Sequence, residues 1–292
     1  MYKFYHQDKN AFIDALNATS ARSGFSSRLL EKDYFCSLIL RELYSKNNSN
    51  NQIVFKGGTL LNKVYAGFYR LSEDLDFTIS TPADSTRKER SDKIRPFKEI
   101  FKNIAKEVLN LSVTQELKGS NQSVQYIGKL EYESATGNGD IKENILFEIG
   151  MREEIIIPHN KGKARTLLID PWTKSAVIPD FEVICLAVEE AYAEKIRAAL
   201  TREKVAIRDI YDIDYAVKKG IINLKSPILI KLVKSKLAIT GDNKINITNS
   251  RKDDFKKQLN TQLLPVLKSG DYASFDFENA WNYILELGKD YS

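Results

Sequence analysis

Two short motifs in the first third of the chain contain residue types suited to chemistry on a nucleotide. A glycine pair stands in Phe55-Lys56-Gly57-Gly58-Thr59, and two aspartates one residue apart end the stretch Arg70-Leu71-Ser72-Glu73-Asp74-Leu75-Asp76. A Gly-Gly-Thr turn can hold polyphosphate, because glycine lets the backbone approach a ligand closely. An Asp-x-Asp pair supplies the carboxylate oxygens that a divalent cation prefers. Neither motif is specific alone, but their proximity indicates chemistry on a nucleotide.

Asp76 lies in a predicted strand, Leu75–Ile79, and Asp74 directly precedes it. Side chains along a strand alternate between its two faces. The apolar residues of this strand face the core, so Asp74 and Asp76 share the opposite face. A second predicted strand, Ile145–Ile149, places Glu148 on its polar face. If the two strands are neighbours, Glu148 completes a three-carboxylate cluster for one or two Mg²⁺ ions. A solvated sheet face is the alternative, and the upstream glycine turn favours the metal site.

The glycine turn is predicted to join a strand, Ile53–Phe55, to a helix running from about Thr59 to Phe68. Thr59 suits the cap of this helix, whose free N–H groups would point at anionic oxygens. An ordinary strand-to-helix turn is the alternative. The motif is not a P-loop, because the sequence lacks Gly-x-x-x-x-Gly-Lys-Ser/Thr and Lys63 stands at the wrong position to replace its lysine.

The composition is that of a globular protein with room for about two domains in its 292 residues. No run of eighteen apolar residues and no signal peptide are present, which predicts a cytoplasmic protein without a membrane span. The net charge of +5 is compatible with an anionic partner such as RNA without requiring one. Cys36 and Cys185 stand in apolar contexts and are predicted to be buried thiols rather than a disulfide. With only His6 and His159 besides, a zinc site is not expected.

The pattern along the chain predicts an α+β fold with an α/β part at residues 1–178 and a helical part at residues 179–292 that completes a nucleotide cleft. A long helix is expected to begin at Pro179-Asp180, where the period becomes helical. Other expected elements are two helices within 9–46, a polar loop at 47–51, an exposed helix at 86–108, a strand at 124–132, a turn at 134–140, and short strands at 155–157 and 167–169.

The helical part contributes a second pair of motifs. Lys195 and Arg202 lie on one helical stripe amid alanines, where a bulky anion such as a triphosphate can approach. An exposed basic face paired with glutamates is the alternative. Arg208 and Asp212 are four residues apart, so they can form a helix salt bridge, or Asp212 can face the cleft instead.

These residues together resemble the AbiEii/MenT-type nucleotidyltransferases, toxins of bacterial abortive-infection and toxin–antitoxin systems within the polymerase-β-like superfamily. The resemblance rests on four stretches in the same order: Glu31-Lys32-Asp33-Tyr34, Lys56-Gly57-Gly58-Thr59 through Ser72-Glu73-Asp74-Leu75-Asp76, Glu194-Lys195-Ile196-Arg197-Ala198-Ala199-Leu200, and Arg208-Asp209-Ile210-Tyr211-Asp212. It implies a polymerase-β-like domain with a mixed sheet flanked by helices, followed by a helical C-terminal domain.

The resemblance also assigns roles to single residues. The nucleotide would be held by Gly57, Gly58, Thr59, Ser72 and Lys195, the catalytic Mg²⁺ or Mn²⁺ by Asp74 and Asp76, and Asp212 would be the family's characteristic acid. The family usually has aspartate on its third strand. Glu148 departs from that pattern and stands where the family has a metal ligand or base.

The function expected from this resemblance is metal-dependent transfer of a nucleoside monophosphate from a nucleoside triphosphate to an acceptor hydroxyl. The acceptor would be RNA, such as a tRNA 3′ end, or a protein hydroxyl, and a cognate antitoxin would restrain the enzyme. Two alternatives are a module that binds nucleotide without transfer, and an enzyme that modifies a small molecule such as an antibiotic.

Overall fold

The computed structural model describes residues 4–46, 53–137, 141–239, 244–268 and 270–291. The chain divides into two compact units, Met1–Leu186 and Ala187–Ser292. The predicted loop at 47–51 and the end of the predicted turn at 134–140 lie outside the described residues. Among the helices that the structure describes, none is both long and apolar enough to span a bilayer.

The first unit is built on a mixed β-sheet. The strands of its described part are β1 Val54–Lys56, β2 Leu75–Thr78, β3 Leu111–Ser120, β4 Gln125–Glu133, β5 Lys142–Gly150, β6 Asn160–Ala164 and β7 Phe181–Cys185. Their order in the sheet is β3-β4-β5-β2-β1-β7-β6. β2 runs antiparallel to β1 and parallel to β5. β2, the strand that contains Asp76, therefore lies at the centre of the sheet.

Aromatic packing fixes which face of β2 is turned to the core. The Phe77 ring lies 5.6 Å from that of Phe55 on β1 and 4.6 Å from that of Phe147 on β5, measured between ring centroids. All three rings are buried. Because side chains alternate along a strand, the residues on either side of Phe77 must point to the opposite face of the sheet.

The helices of the first unit are α1 Lys9–Ser23, α2 Ser27–Lys46, the single turn α3 Gly57–Leu60 and α4 Arg87–Glu107. α3 continues as a π-helical segment, Leu61–Ala66. Most of α2 is buried, including the charged residues Glu31, Lys32 and Asp33. Buried charges need partners, so α2 is expected to hold specific polar groups of the sheet as well as apolar ones.

The second unit is helical in its described part. Its α-helices are α5 Val188–Thr201, α6 Ile207–Lys218, α7 Pro227–Ala238, α8 Asn249–Lys257 and α9 Phe277–Tyr291. Both cysteines of the chain are buried and free, as predicted. The predicted fold class, a mixed sheet flanked by helices and followed by a helical region, is confirmed.

Several predictions of local structure are wrong. The segment after Pro179-Asp180 does not begin a helix, because 181–185 forms β7, which pairs parallel to β1. Residues 155–157 form no strand, and β6 follows at 160–164 instead. The helix after the glycine turn begins at Gly57, so Thr59 lies inside it and Lys56 stands at the N-cap.

Candidate functional site

The two glycines of the turn allow other side chains of the first unit to pack directly against its backbone. Gly57 has a φ of +75°, in the left-handed region that favours glycine. A Cβ atom at Gly57 would lie 2.1 Å from Oδ2 of Asp76. A Cβ atom at Gly58 would lie 2.5 Å from Nη2 of Arg70 and 3.1 Å from Oγ of Ser72. The turn therefore lies against a carboxylate, a guanidinium and a hydroxyl.

Asp76 is flanked in the sheet by one basic and one acidic residue. It is the register partner of Lys56 on β1 and of Glu148 on β5. Residues directly opposite across a strand pair point to the same face, so the three side chains share the polar face. The predicted adjacency of the two carboxylate strands is confirmed. A Cβ atom at Gly150 would lie 4.0 Å from Nζ of Lys56, so the Lys56 amine crosses β2 towards β5.

The hydroxyl of Thr59 fixes the chain at Asp74. It donates a hydrogen bond of 2.5 Å to the main-chain oxygen of Asp74, and Thr59 is 1% exposed. The bond joins the first turn after the glycines to the residue that directly precedes β2. Thr59 thus couples the two motifs in which the sequence predicts nucleotide and metal binding.

We call the sheet face that carries Asp76 and Glu148 the acidic face. Its carboxylates offer hard oxygen ligands, but the described residues form no three-carboxylate cage. Within the described residues, no three acidic, histidine or cysteine side chains converge closely enough to hold one metal ion. Mg²⁺ needs no such cage, because proteins commonly bind it through one or two carboxylates together with phosphate oxygens of the substrate. Asp74 and Asp76 fit this donor set chemically.

A network of four charges connects α2 to the two strands that carry the acidic face. Arg28 lies 3.1 Å from Glu73 and 2.6 Å from Glu143, and Lys32 lies 3.3 Å and 3.5 Å from the same two carboxylates. Burial raises the pKa of Glu73, but the two cations outweigh it and the net direction is down. Glu73 directly precedes Asp74, so the network holds the start of the Asp-x-Asp motif.

A buried ion pair anchors the helical segment after the glycine turn. The Lys63 amine lies 2.5 Å from Oδ1 of Asp33, and both side chains are almost fully buried. Lys63 also donates to Oγ of Ser37 at 2.7 Å, and the main-chain N–H of Leu167 donates to Asp33 at 3.3 Å. Lys63 does not stand where a P-loop has its lysine. Its contacts with Asp33 and Ser37 fix the glycine turn to α2 instead.

In the helical unit, Lys195 of α5 lies between two aspartates of α6. Its amine is 2.6 Å from Oδ1 of Asp209 and 3.0 Å from Oδ2 of Asp212. Arg202 lies 3.3 Å from Oδ2 of Asp209. Both aspartates are almost completely buried, and the Lys195 side chain is 15% exposed. Two cations and two carboxylates therefore form a compact cluster that includes both residues predicted from this half.

The helix salt bridge considered between Arg208 and Asp212 is replaced by the contact of Asp212 with Lys195. Sequence spacing favours pairs within one helix, whereas this pair joins two helices. Arg208 itself is half-buried and has no ionic or hydrogen-bonding partner in the part of the chain that the structure describes.

Lys56 and Asp209 are residues of the candidate site that the sequence did not assign. Lys56 adjoins the glycine turn. Because Phe55 faces the core and side chains alternate along a strand, Lys56 could have been predicted to lie on the acidic face. Asp209 stands within a recognised motif, but its pairing with Lys195 depends on how α5 and α6 pack. No spacing rule within one helix predicts that contact.

Comparison with known proteins identifies the fold and the family of the chain. The mixed sheet flanked by helices is the fold of nucleotidyltransferase-like proteins. The family described as nucleotidyl transferase AbiEii toxin, of the type IV toxin–antitoxin systems, matches residues 38–284. The chain therefore belongs to this family, as the sequence motifs indicated.

Solved structures show the same fold at low sequence identity. The chain is similar to MenT4, a nucleotidyltransferase toxin from Mycobacterium tuberculosis, with a TM-score of 0.57 and 16% identity over 96% of this chain and 89% of that one. It is also similar to JHP933 from Helicobacter pylori, with a TM-score of 0.50 and 16% identity over 91% of this chain and 92% of that one. No curated protein matches.

Proposed function

We propose that this protein is a metal-dependent nucleotidyltransferase that transfers a nucleoside monophosphate from a nucleoside triphosphate to an RNA hydroxyl, such as a tRNA 3′ end. The observation that carries the proposal is the position of Asp76. This carboxylate lies against the Gly57 turn and opposite Glu148 on the neighbouring strand. A phosphate-binding turn and metal-binding carboxylates must be adjacent in any enzyme of this class.

Asp74 and Asp76 are assigned to a Mg²⁺ or Mn²⁺ ion, and Glu148 to the same face as a ligand or base. When bound, the ion supplies positive charge that offsets the charge of the triphosphate. Lys56 contributes a further positive charge on this face and limits repulsion between the carboxylates before the nucleotide arrives.

Gly57, Gly58 and Ser72 are assigned to the phosphates of the nucleotide. The Ser72 hydroxyl lies against Gly58, so it is positioned to donate to an oxygen held at the turn. Thr59 acts in this proposal through its bond to the main chain of Asp74, which keeps the turn and the carboxylates in a fixed relation.

Lys195 is assigned to the triphosphate and Asp212 to the positioning of Lys195, following the family resemblance. Two carboxylates hold the Lys195 amine. The side chain is therefore already ordered and has less rotamer freedom to lose when a nucleotide binds. A triphosphate would compete with these aspartates for the amine. We therefore expect Lys195 to affect nucleotide affinity as well as turnover.

The proposed reaction is a single displacement at the α-phosphorus. The acceptor oxygen forms a new bond to this phosphorus while the bond to the bridging oxygen of the β-phosphate breaks. Pyrophosphate leaves, and the proton of the acceptor hydroxyl passes to a base, for which Glu148 is the candidate. Such a reaction on tRNA would block aminoacylation, so the family's toxin class fits this proposal, with a cognate antitoxin as its partner.

The proposal is tested by incubating the purified protein with Mg²⁺ and each α-³²P-labelled nucleoside triphosphate, with and without bulk tRNA. We expect label on tRNA for the wild type and none for Asp76→Asn, with both proteins giving the same circular dichroism spectrum. Label on a small molecule would favour the antibiotic-type alternative. Nucleotide binding without any transfer would favour the binding module.

A further inference from the structure

The segment around α7 is unusual in its charge. Residues 215–241 contain six lysines and no aspartate or glutamate. One of these, Lys236, points inward and pairs with Glu190 of α5 at 2.7 Å. This contact attaches α7 to the helix that carries Lys195. The outer side of α7 therefore belongs to a helix that is held firmly within the second unit.

The outer side of α7 carries two lysines, Lys231 and Lys234, next to an exposed Ile228. We call these three residues the lysine face. These residues recur at intervals of three on the exposed side of the helix, opposite the buried Leu229, Leu232 and Val233. Ile228 is 58% exposed. Within the described residues, Lys231 and Lys234 have no ionic or hydrogen-bonding partner.

Two neighbouring lysines of α8, by contrast, have acidic partners. On α8, Lys256 lies 2.7 Å from Glu278 and Lys257 lies 2.7 Å from Asp254. Like charges three or four residues apart on a helix destabilise it unless an opposite charge is near. The repulsion on the lysine face has no acidic residue nearby in the sequence to relieve it. An external polyanion would relieve it.

We propose that the lysine face of α7 binds the phosphate backbone of the RNA acceptor. This assignment rests on the proposed function, because it supplies a surface for the macromolecular substrate. Lysines act as point charges towards phosphates, and contacts to phosphates carry no sequence information. The surface would therefore add affinity for many RNAs, and the choice of acceptor would be made elsewhere in the protein.

The test measures binding of fluorescent bulk tRNA by anisotropy, without nucleotide or metal, so that its outcome does not depend on catalysis. We expect the double variant Lys231→Gln/Lys234→Gln to bind tRNA about tenfold more weakly than the wild type. The slope of log affinity against log salt should fall by about 0.7 to 0.9 for each phosphate contact removed. The matched control, Lys256→Gln/Lys257→Gln, removes the same charge from α8 and should retain wild-type binding.

Three outcomes overturn the assignment. The first is wild-type tRNA affinity in the α7 variant, and the second is an equal loss in both double variants, which would show only the effect of net charge. The third is unchanged tRNA binding combined with lost binding of poly-glutamate, which would assign the face to an acidic protein partner. A failure of the transfer assay with intact tRNA binding would instead count against the proposed reaction alone.

Discussion

Asp76 and Glu148 lie directly opposite each other on the parallel strands β2 and β5, on the face of the sheet that also carries Lys56. The two carboxylates are nevertheless expected to act differently. Asp76 adjoins the glycine turn, where metal and phosphate would meet. Glu148 lies on β5, one strand further from β1 and the glycine turn that follows it.

We therefore predict that Asp76→Asn abolishes transfer at every Mg²⁺ concentration. Glu148→Gln should lower kcat by about 10²- to 10⁴-fold, the usual contribution of a general base, and leave the Mg²⁺ concentration for half-maximal rate unchanged. Transfer assays over a range of Mg²⁺ concentrations measure the rate and the Mg²⁺ dependence of both variants. A shift of the Mg²⁺ dependence in Glu148→Gln would show that Glu148 is a metal ligand.

Gly57 and Gly67 allow the steric role of the turn to be separated from backbone strain. Both have positive φ, +75° and +72°, so alanine at either position should cost about 1–2 kcal/mol of stability. At Gly57 the added methyl group would also meet the Asp76 carboxylate at 2.1 Å, whereas at Gly67 the nearest atom, on Arg165, is 3.9 Å away.

We predict that Gly67→Ala is moderately destabilised and active, and that Gly57→Ala is more destabilised and loses transfer. Urea unfolding and the transfer assay measure the two properties separately. Equal activity in the two variants would mean that the Gly57 turn does not need its close contact with Asp76.

The buried pair of Asp33 and Lys63 is predicted to hold the glycine turn in place. Asp33→Asn would leave the Lys63 ammonium buried without its counter-ion, which costs about 3–5 kcal/mol. The double variant Asp33→Asn/Lys63→Met removes both charges and should recover much of this loss. As a control, Asp254→Asn breaks the exposed pair with Lys257 and should cost less than about 1 kcal/mol.

Urea unfolding of the four proteins measures these differences in the free energy of unfolding. If the double variant is no more stable than Asp33→Asn, the charge of Lys63 is not the source of the loss. The transfer assay on the double variant then shows whether packing alone keeps the turn in position.

The central part of the fold could be predicted from the sequence because local rules decide it. Alternation placed Asp76 and Glu148 on polar faces, and apolar residues at helical spacing indicated α2. β7 was missed because its five residues, 181–185, stand only three residues before α5 and share its apolar character. β3 was missed because it lies at the edge of the sheet, is polar on its exposed side and has an irregular register.

The candidate site was predicted only in part for a related reason. The residues of the turn and the acidic face follow from one strand and its neighbour. Contacts such as Lys63 with Asp33, or Lys195 with Asp209, join segments whose approach depends on tertiary packing. Spacing along the chain therefore identified the residue types of the site and not the pairs that hold them.

His6 is expected to make the stability of the folded protein depend on pH. Nδ1 of its ring is hydrogen-bonded with the Tyr34 hydroxyl at 2.9 Å, and Nε2 with the main-chain oxygen of Leu109 at 3.0 Å. Burial lowers the pKa of His6 from its usual value of 6.5, more than the bond to Leu109 raises it. The folded protein therefore keeps the ring neutral at a pH where the unfolded chain binds a proton.

Because the unfolded state binds more protons, the contribution of His6 is fully present above pH 6.5 and is lost as the pH falls below it, towards the lowered pKa of the folded state. We predict that the free energy of unfolding, measured in urea between about pH 7.5 and about pH 5.5, falls less steeply for His6→Gln than for the wild type. His159→Gln changes an exposed histidine and should keep the wild-type slope. A slope in His6→Gln as steep as that of the wild type would show that His6 is not the group that titrates.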